Sequence, residues 1–270
     1  MINYRNIFDL KNTTSYILGG LGLIGLESSI ALSLCGSKVI VLDKNIKGKE
    51  IIKKINQKHK INIIFEYLDI SNLKILEKKY LNLINKYSIP DIFINASYPK
   101  NNNWNQNSFS KINLQILEEN IHTHLNTYSW IAKLVADSMI EQKLGSIIQL
   151  GSIYGFVGQD LNLYKNLEAN ENMTYSIIKG GIINLTRQMA SYYGQYNIRV
   201  NCISPGAIKN FDKKDLTNNN VFRSRYIKKT PLKRLGQPSD VASSVVFLSS
   251  KASNYITGIN LVIDGGMTII

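Results

Sequence analysis

A chain of 270 residues that is 44% hydrophobic can bury one sizeable core, so a single domain spanning residues 1–270 is expected. Its formal charge of +13 invites nucleic acid or an acidic membrane, yet the lysines are scattered among asparagines and isoleucines with no arginine-rich stripe and no nucleic-acid module. A solvated basic surface follows, with no nucleic-acid or membrane partner and a mild attraction for anionic substrates; Cys35 and Cys202, which lack metal-ligand spacing, read as free thiols in a reducing, cytoplasmic compartment.

The first long apolar stretch, Tyr16 to Leu34, contains Glu27 and several glycines and follows a polar start, so it reads as neither a membrane span nor a targeting segment. Residues 15–18 form a short buried strand that runs into Gly19-Gly20-Leu21-Gly22-Leu23-Ile24-Gly25 and then an apolar helix to Cys35. Strand, glycine turn and helix together make an anion site, because glycines let the backbone approach a pyrophosphate and the helix start points free N–H groups at it. A second strand, Lys38 to Asp43, ends in a carboxylate 18 residues after Gly25. Such a group accepts hydrogen bonds from an adenine ribose and repels a 2′-phosphate, which favours NAD over NADP, although Lys44 next to it moderates the preference.

The alternation continues: a polar helix over about 47–58, strand Ile61 to Tyr67, a helix over about 72–87, and strand Asp91 to Asn95. A long amphipathic helix over about 113–141 precedes strand Ser146 to Leu150, and a further helix precedes strand Ile198 to Ile203. This βα order implies a parallel sheet with helices on both faces and a ligand beyond the carboxyl ends of the strands, where Asp43, Asp69, Asn95, Ser152 and Pro205 all fall. The least regular stretches are Pro99 to Ser110 and Phe156 to Thr174.

Tyr175 and Lys179 stand four residues apart at the start of the helix before Ile198, so they share a helix face. A free phenol, with its pKa near ~10, is poised too high for acid/base work at pH 7. A lysine charge ~5 Å away at an effective dielectric of about 20 favours the phenolate by ~3 kcal/mol, or about two pKa units. Such a tyrosine exchanges a proton with a substrate hydroxyl.

Taken together, Gly19 to Gly25, Asp43, Asp69, Asn95-Ala96-Ser97, Gly151-Ser152, Tyr175 to Lys179, Asn201 to Gly206, and Ile256-Thr257-Gly258 to Asp264-Gly265-Gly266 resemble the short-chain dehydrogenase/reductase family over nearly the whole chain. The resemblance implies a Rossmann-type, doubly wound seven-stranded parallel sheet, a nicotinamide cofactor, and a homo-oligomer, dimer or tetramer. It makes Tyr175 the acid/base, Lys179 its partner and a holder of the nicotinamide ribose, and Ser152 the group that binds the substrate oxygen. Gly19, Gly20, Leu21, Gly22, Ile24 and Gly25 would surround the pyrophosphate. Asp69 and Ile70 would flank the adenine, Asn95 and Ala96 would line the adenosine side, and Pro205, Gly206 and Ile208 would cover the nicotinamide. No metal is implied.

Three departures qualify the resemblance. The glycines are spaced Gly19, Gly22, Gly25, as in the extended branch of the family, but that branch needs a larger C-terminal domain than is expected here, so the short branch is the better fit. The position of the family's catalytic asparagine falls on His124, with Asn120 one turn earlier; an imidazole that relays protons and one that merely packs both remain open. Ser152 and Tyr175 are 23 residues apart, so residues 158–174 should form a loop beside the substrate pocket, with Asp160, Asn162, Tyr164, Lys165 and Asn166 facing a hydroxylated ligand. With Tyr98-Pro99-Lys100 and Ser191-Tyr192-Tyr193-Gly194, this loop is similar to reductases of bacterial surface-glycan and flagellin-modification pathways. The expected activity is NAD(H)-dependent oxidation or reduction at a secondary alcohol or ketone of a sugar. The alternatives are a 3-oxoacyl-(acyl carrier protein) reductase and a nucleotide-binding scaffold without turnover.

Overall fold

Side chains along the central strands alternate between two buried faces. β1 (Thr14–Leu18) sends Tyr16 and Leu18 to one face and Ile17 to the other; β2 (Lys38–Asp43) divides Ile40 and Leu42 from Val39 and Val41 in the same way. A strand apolar on both sides must be covered on both sides, which is the condition for a parallel sheet. The computed structural model describes residue 4 and residues 6–99, 103–210 and 215–270. Lys100 of the Tyr98-Pro99-Lys100 run lies outside the described residues, as do Asn101 and Asn102.

The sheet adds β3 (Ile64–Tyr67), β4 (Ile92–Asn95), β5 (Gly145–Leu150), β6 (Ile198–Pro205) and β7 (Asn260–Ile263). Its seven strands run in the order β3-β2-β1-β4-β5-β6-β7, and every pair is parallel. On one face α3 (Leu73–Tyr87), α5 (Thr127–Gln142) and α6 (Met173–Tyr193) pack over Tyr16, Leu42, Phe93 and Val200. On the other, α1 (Leu23–Leu34), α2 (Gly48–His59) and α8 (Pro238–Ser249) pack over Ile17, Val41, Ile94 and Ile203. This is the Rossmann-type, doubly wound arrangement expected from the sequence. The winding reverses between β1 and β4, so the crevice for a ligand opens above their carboxyl ends.

Two expected elements are corrected. The strand anticipated from Ile61 begins at Ile64, because the Asn56 carboxamide takes both backbone groups of Ile63, donating to its carbonyl at 2.8 Å and accepting from its N–H at 2.9 Å. The single long helix over 113–141 is three pieces: α4 (Leu114–Asn120), a π-helical segment Ile121–Asn126, and α5. Side-chain hydroxyls support the wide turn, Thr127 donating to the Thr123 carbonyl and Ser129 to the Leu125 carbonyl, each at 2.7 Å. Tyr16 to Leu34 resolves into β1, a turn and α1, and among the described residues no helix is long and apolar enough to cross a membrane.

Candidate active site

The turn after β1 is built on two glycines. Gly19 sits at φ +71° and receives the Gly22 N–H on its carbonyl at 3.0 Å. A methyl group on Gly25 would stand 2.3 Å from that same carbonyl oxygen, so only glycine lets α1 begin this close to the strand. A methyl on Gly22 would meet only the Gly19 carbonyl, at 3.2 Å; the extended-branch spacing is therefore incidental and the turn belongs to Gly19 and Gly25. Gly22 starts α1 without a side-chain cap, and no acidic residue stands in the first turn, so the helix presents bare N–H groups.

These groups open on a cavity of about 590 Å³ at the carboxyl edge of the sheet. Gly19, Gly22, Leu23, Ile24 and Gly25 line it, whereas Gly20 packs against Val41 and Leu21 turns its N–H to the Asp43 carboxylate at 3.2 Å. Of the residues expected around a cofactor, Gly20, Leu21 and Asn95 thus stand outside the wall, and Leu23 joins it. Asn95 is fully buried, its carboxamide donating to the Tyr128 carbonyl and accepting from the Ser97 hydroxyl, so its side chain fixes the loop. Asp43, Asp69, Ile70 and Ala96 line one end of the cavity, with Lys44 beside them. Burial would raise the Asp69 carboxyl, but hydrogen bonds from Ser71 and the nearby Lys79 and Lys44 hold it below the ordinary range.

Ser152, Tyr175, Lys179, Pro205, Gly206 and Ile208 meet at the other end. The Asn172 side chain caps α6 by accepting the Tyr175 N–H at 2.8 Å, which sets the helix start and with it the aim of the phenol. Ser152 follows β5 and accepts the Tyr154 N–H at 3.2 Å. A methyl on Gly155 would stand 2.7 Å from the Lys179 carbonyl oxygen, so this glycine allows the segment after Ser152 to lie directly on α6. Lys179 is almost wholly buried and donates to the Leu150 carbonyl at 2.7 Å, its nitrogen 5.6 Å from the centre of the Tyr175 ring.

The electrostatics differ from the expectation. Burial pushes the Tyr175 phenol above its ordinary range, and the Ser152 hydroxyl alongside pulls it only part of the way back. Burial also brings Lys179 down to about 8. The two side chains do converge, but desolvation of both outweighs the attraction that the sequence argument placed between them.

His124 lies in the π-helical segment, fully buried, its ring centre 5.4 Å from that of Tyr98. Neither of its nitrogens has a hydrogen-bond partner among the described residues. Burial, with a smaller contribution from the Lys179 charge, holds its pKa well below the ordinary value, so the imidazole is neutral at physiological pH. Asn120 turns away from the cavity, donating to Ile116 and to Asn107. Asn107, which the sequence did not single out, joins three pieces: it accepts from Asn120 and from the Thr174 hydroxyl, and its carbonyl receives the Met173 N–H.

The loop over 158–174 is placed differently from the expectation. Asp160 forms an ion pair with Lys229 of α7 (Asn220–Lys229), Arg225 donates to the Lys165 carbonyl at 2.6 Å, and Leu163 shares a small core with Phe222, Tyr226 and Leu235. Asp160, Asn162, Tyr164, Lys165 and Asn166 do not line the cavity; the loop is fastened onto α7. The wall near Tyr175 is made instead by Ser97, Tyr98, Pro99 and Thr123 from one side and by Asn210, Asp215 and Thr217 from the segment after β6. Ser97, Tyr98 and Pro99 belong to runs that the sequence singled out, whereas Thr123, Asn210, Asp215 and Thr217 carried no sequence signal.

The sequence matches a family model described as enoyl-(acyl carrier protein) reductase over residues 23–268. It is 31% identical over 269 residues to a 3-oxoacyl-(acyl carrier protein) reductase of Buchnera aphidicola, covering 96% of this chain and 98% of the relative. It is 28% identical over 259 residues to post-translational flagellin modification protein A of Campylobacter coli, covering 95% of this chain and 98% of that one. Among solved structures, a short chain dehydrogenase from Leptospira borgpetersenii with bound NAD+ is 32% identical, with a TM-score of 0.81 and coverage of 99% and 97%.

Proposed function

The chain belongs to the short-chain dehydrogenase/reductase family of oxidoreductases, and from that premise we propose that it moves a hydride between NAD(H) and a secondary alcohol or ketone of a sugar or sugar derivative. The observation that carries the reading is the convergence of Ser152, Tyr175 and Lys179 in the cavity that also holds the glycine turn. A nicotinamide dinucleotide suits these walls. The cavity has the volume of a cofactor site, typically ~300–1,000 Å³, the bare start of α1 suits its pyrophosphate, and Asp43 suits its adenine ribose. Such a cofactor, when bound, supplies the hydride acceptor or donor.

The protein's own residues handle the oxygen and its proton. Ser152 donates a hydrogen bond to the substrate oxygen and orients it toward Tyr175. Tyr175, neutral through the physiological range because burial favours the uncharged phenol, gives its proton to a developing alkoxide in reduction and recovers it in oxidation. Lys179, held under the ring by the Leu150 carbonyl, stabilises the phenolate whenever it forms. Screening sugars, polyols and acyl thioesters for cofactor-dependent absorbance change tests the reading; a chain that reduces only acyl thioesters refutes it. The acyl carrier protein reductase reading is the second one, supported by the Buchnera relative's name and by the basic surface.

Two results discriminate further. Asp43→Ser should shift the NADH-to-NADPH preference toward NADPH by roughly 100-fold, since ~3 kcal/mol of repulsion against a 2′-phosphate is removed. Lys44 already at the cavity limits the native preference, and cofactor titration of both proteins checks it. The NAD+ in the Leptospira relative supports the same preference.

In this reading His124, neutral and with both nitrogens unpaired among the described residues, keeps one donor and one acceptor for a proton relay between Lys179 and solvent. His124→Asn should keep turnover within about threefold, whereas His124→Phe, which preserves the ring contacts, should lose about tenfold, the worth of one hydrogen bond. Turnover measured from pH 6 to 9 checks it; an unimpaired Phe variant assigns His124 to packing alone.

A further inference from the structure

The strands on either side of β5 each send a segment to the cavity that Ser152 lines. From the segment after β4 comes Tyr98, a residue 41% exposed whose ring packs edge-on against Trp104 and Tyr175, with centroids 5.3 and 5.8 Å away. From β6 comes Asp215, on the same cavity. The phenol of Tyr98 is pushed up by desolvation first, then by Tyr175 and by the Asp215 carboxylate, which is therefore within electrostatic reach of the aromatic wall. Among the described residues no lysine or arginine nitrogen stands within 4.0 Å of that carboxylate.

A carboxylate offers about four acceptor positions. Three of those on Asp215 are taken from its own segment: Oδ1 accepts the Thr217 N–H at 2.9 Å and the Thr217 hydroxyl at 2.7 Å, and Oδ2 accepts the Asn210 side-chain N–H at 3.1 Å. Those bonds fix the group's orientation and, among the described residues, leave one acceptor position on Oδ2. The remaining ligand must be a donor.

We propose, building on the reading of the chain as a dehydrogenase of hydroxylated substrates, that Asp215 sets specificity by accepting a hydrogen bond from a hydroxyl of an uncharged polyol or sugar laid against Tyr98. Substrates with a carboxylate or phosphate beside the reacting carbon are turned away. The surface charge of +13 suggests the opposite preference. Surface lysines are screened within about 8–10 Å, whereas a carboxylate in the pocket meets the ligand at contact distance and with little intervening water. The only basic side chains lining the cavity among the described residues are Lys44, at the adenosine end, and Lys179, buried under Tyr175.

The test uses matched pairs, sorbitol with gluconate and xylitol with xylonate, for the native enzyme, Asp215→Asn and Asp215→Ser. Turnover is measured with NAD+, and binding of each probe is measured to the NADH-loaded protein. The native enzyme should favour the neutral member of each pair by about 100-fold in kcat/KM, and both variants should compress that ratio to less than about fivefold, through KM. Because a ratio within one variant cancels general damage to the loop, a loss of activity that leaves the ratio unchanged overturns the proposal. So does a native enzyme that favours the acid member, while the reading as a dehydrogenase of hydroxylated substrates survives that result. Turnover of acyl thioesters with no binding or turnover of any polyol or sugar acid overturns both.

Discussion

Tyr175→Phe should lower turnover by about 1,000-fold or more while leaving the NADH dissociation constant within threefold, because general acid–base catalysis by a positioned side chain contributes roughly 10²–10⁴-fold. The variant isolates the hydroxyl. The ring is held between Tyr98 and Trp104, with centroids at 5.8 and 6.4 Å, and the backbone N–H is fixed by Asn172, so phenylalanine occupies the same place. Steady-state kinetics and cofactor titration make the measurement, and a Phe variant with native turnover ends the proposed mechanism. The native pH profile carries a sign as well. With the phenol raised above its ordinary range, the proton is present through neutral pH, so ketone reduction should be supported near pH 7. Alcohol oxidation needs the phenolate and should climb with pH by up to tenfold per unit. An oxidation rate that is flat from pH 6 to 9 contradicts that assignment.

The parts of this molecule that were legible in the sequence are those fixed by neighbours along the chain. β1, the glycine turn, α1 and β2 follow from residues within about thirty positions of one another, and the βα order then dictates the sheet and the edge on which ligands bind. What the sequence left open depends on which way a side chain faces. Gly20 and Asn95 belong to recognisable motifs, yet one packs on Val41 and the other is consumed by Tyr128 and Ser97. The π-helical segment was hidden because widening one turn over Ile121–Asn126 barely alters the apolar pattern of the helix around it. Asp215 had no local signature, and Tyr98 had one only as part of the Tyr98-Pro99-Lys100 run; the order β4-β5-β6 is what brings their segments to one cavity. The loop over 158–174 shows the same limit in reverse. Its polar residues looked suited to a ligand, but Lys229 of α7 takes the Asp160 carboxylate and Arg225 the Lys165 backbone carbonyl, which fastens the loop away from the cavity.

Lys179→Met should lower turnover by at least about 100-fold and at the same time make the cofactor-free protein slightly more stable at pH 7. The two effects share one cause. Burial brings the ammonium from its ordinary 10.5 down to about 8, so folding with the charge in place costs about 3 kcal/mol at neutral pH. Removing it also strands the Leu150 carbonyl, whose lost hydrogen bond costs about 1–3 kcal/mol, leaving a net gain of about 1 kcal/mol and a Tm higher by about 2 °C. The sign fixes the pH window. A base whose folded pKa is depressed destabilises fully below about pH 8, and the penalty fades as pH rises toward the unfolded value of 10.5, since the unfolded chain then binds the extra proton. The Met variant's advantage should therefore be largest at pH 7 and should vanish or reverse by pH 10. Thermal unfolding of both proteins without cofactor at the two pH values decides it. A native protein that is several degrees the more stable at pH 7 would make Lys179 a structural post, whereas the expected crossover marks a charge kept at the expense of stability for the sake of the phenolate above it.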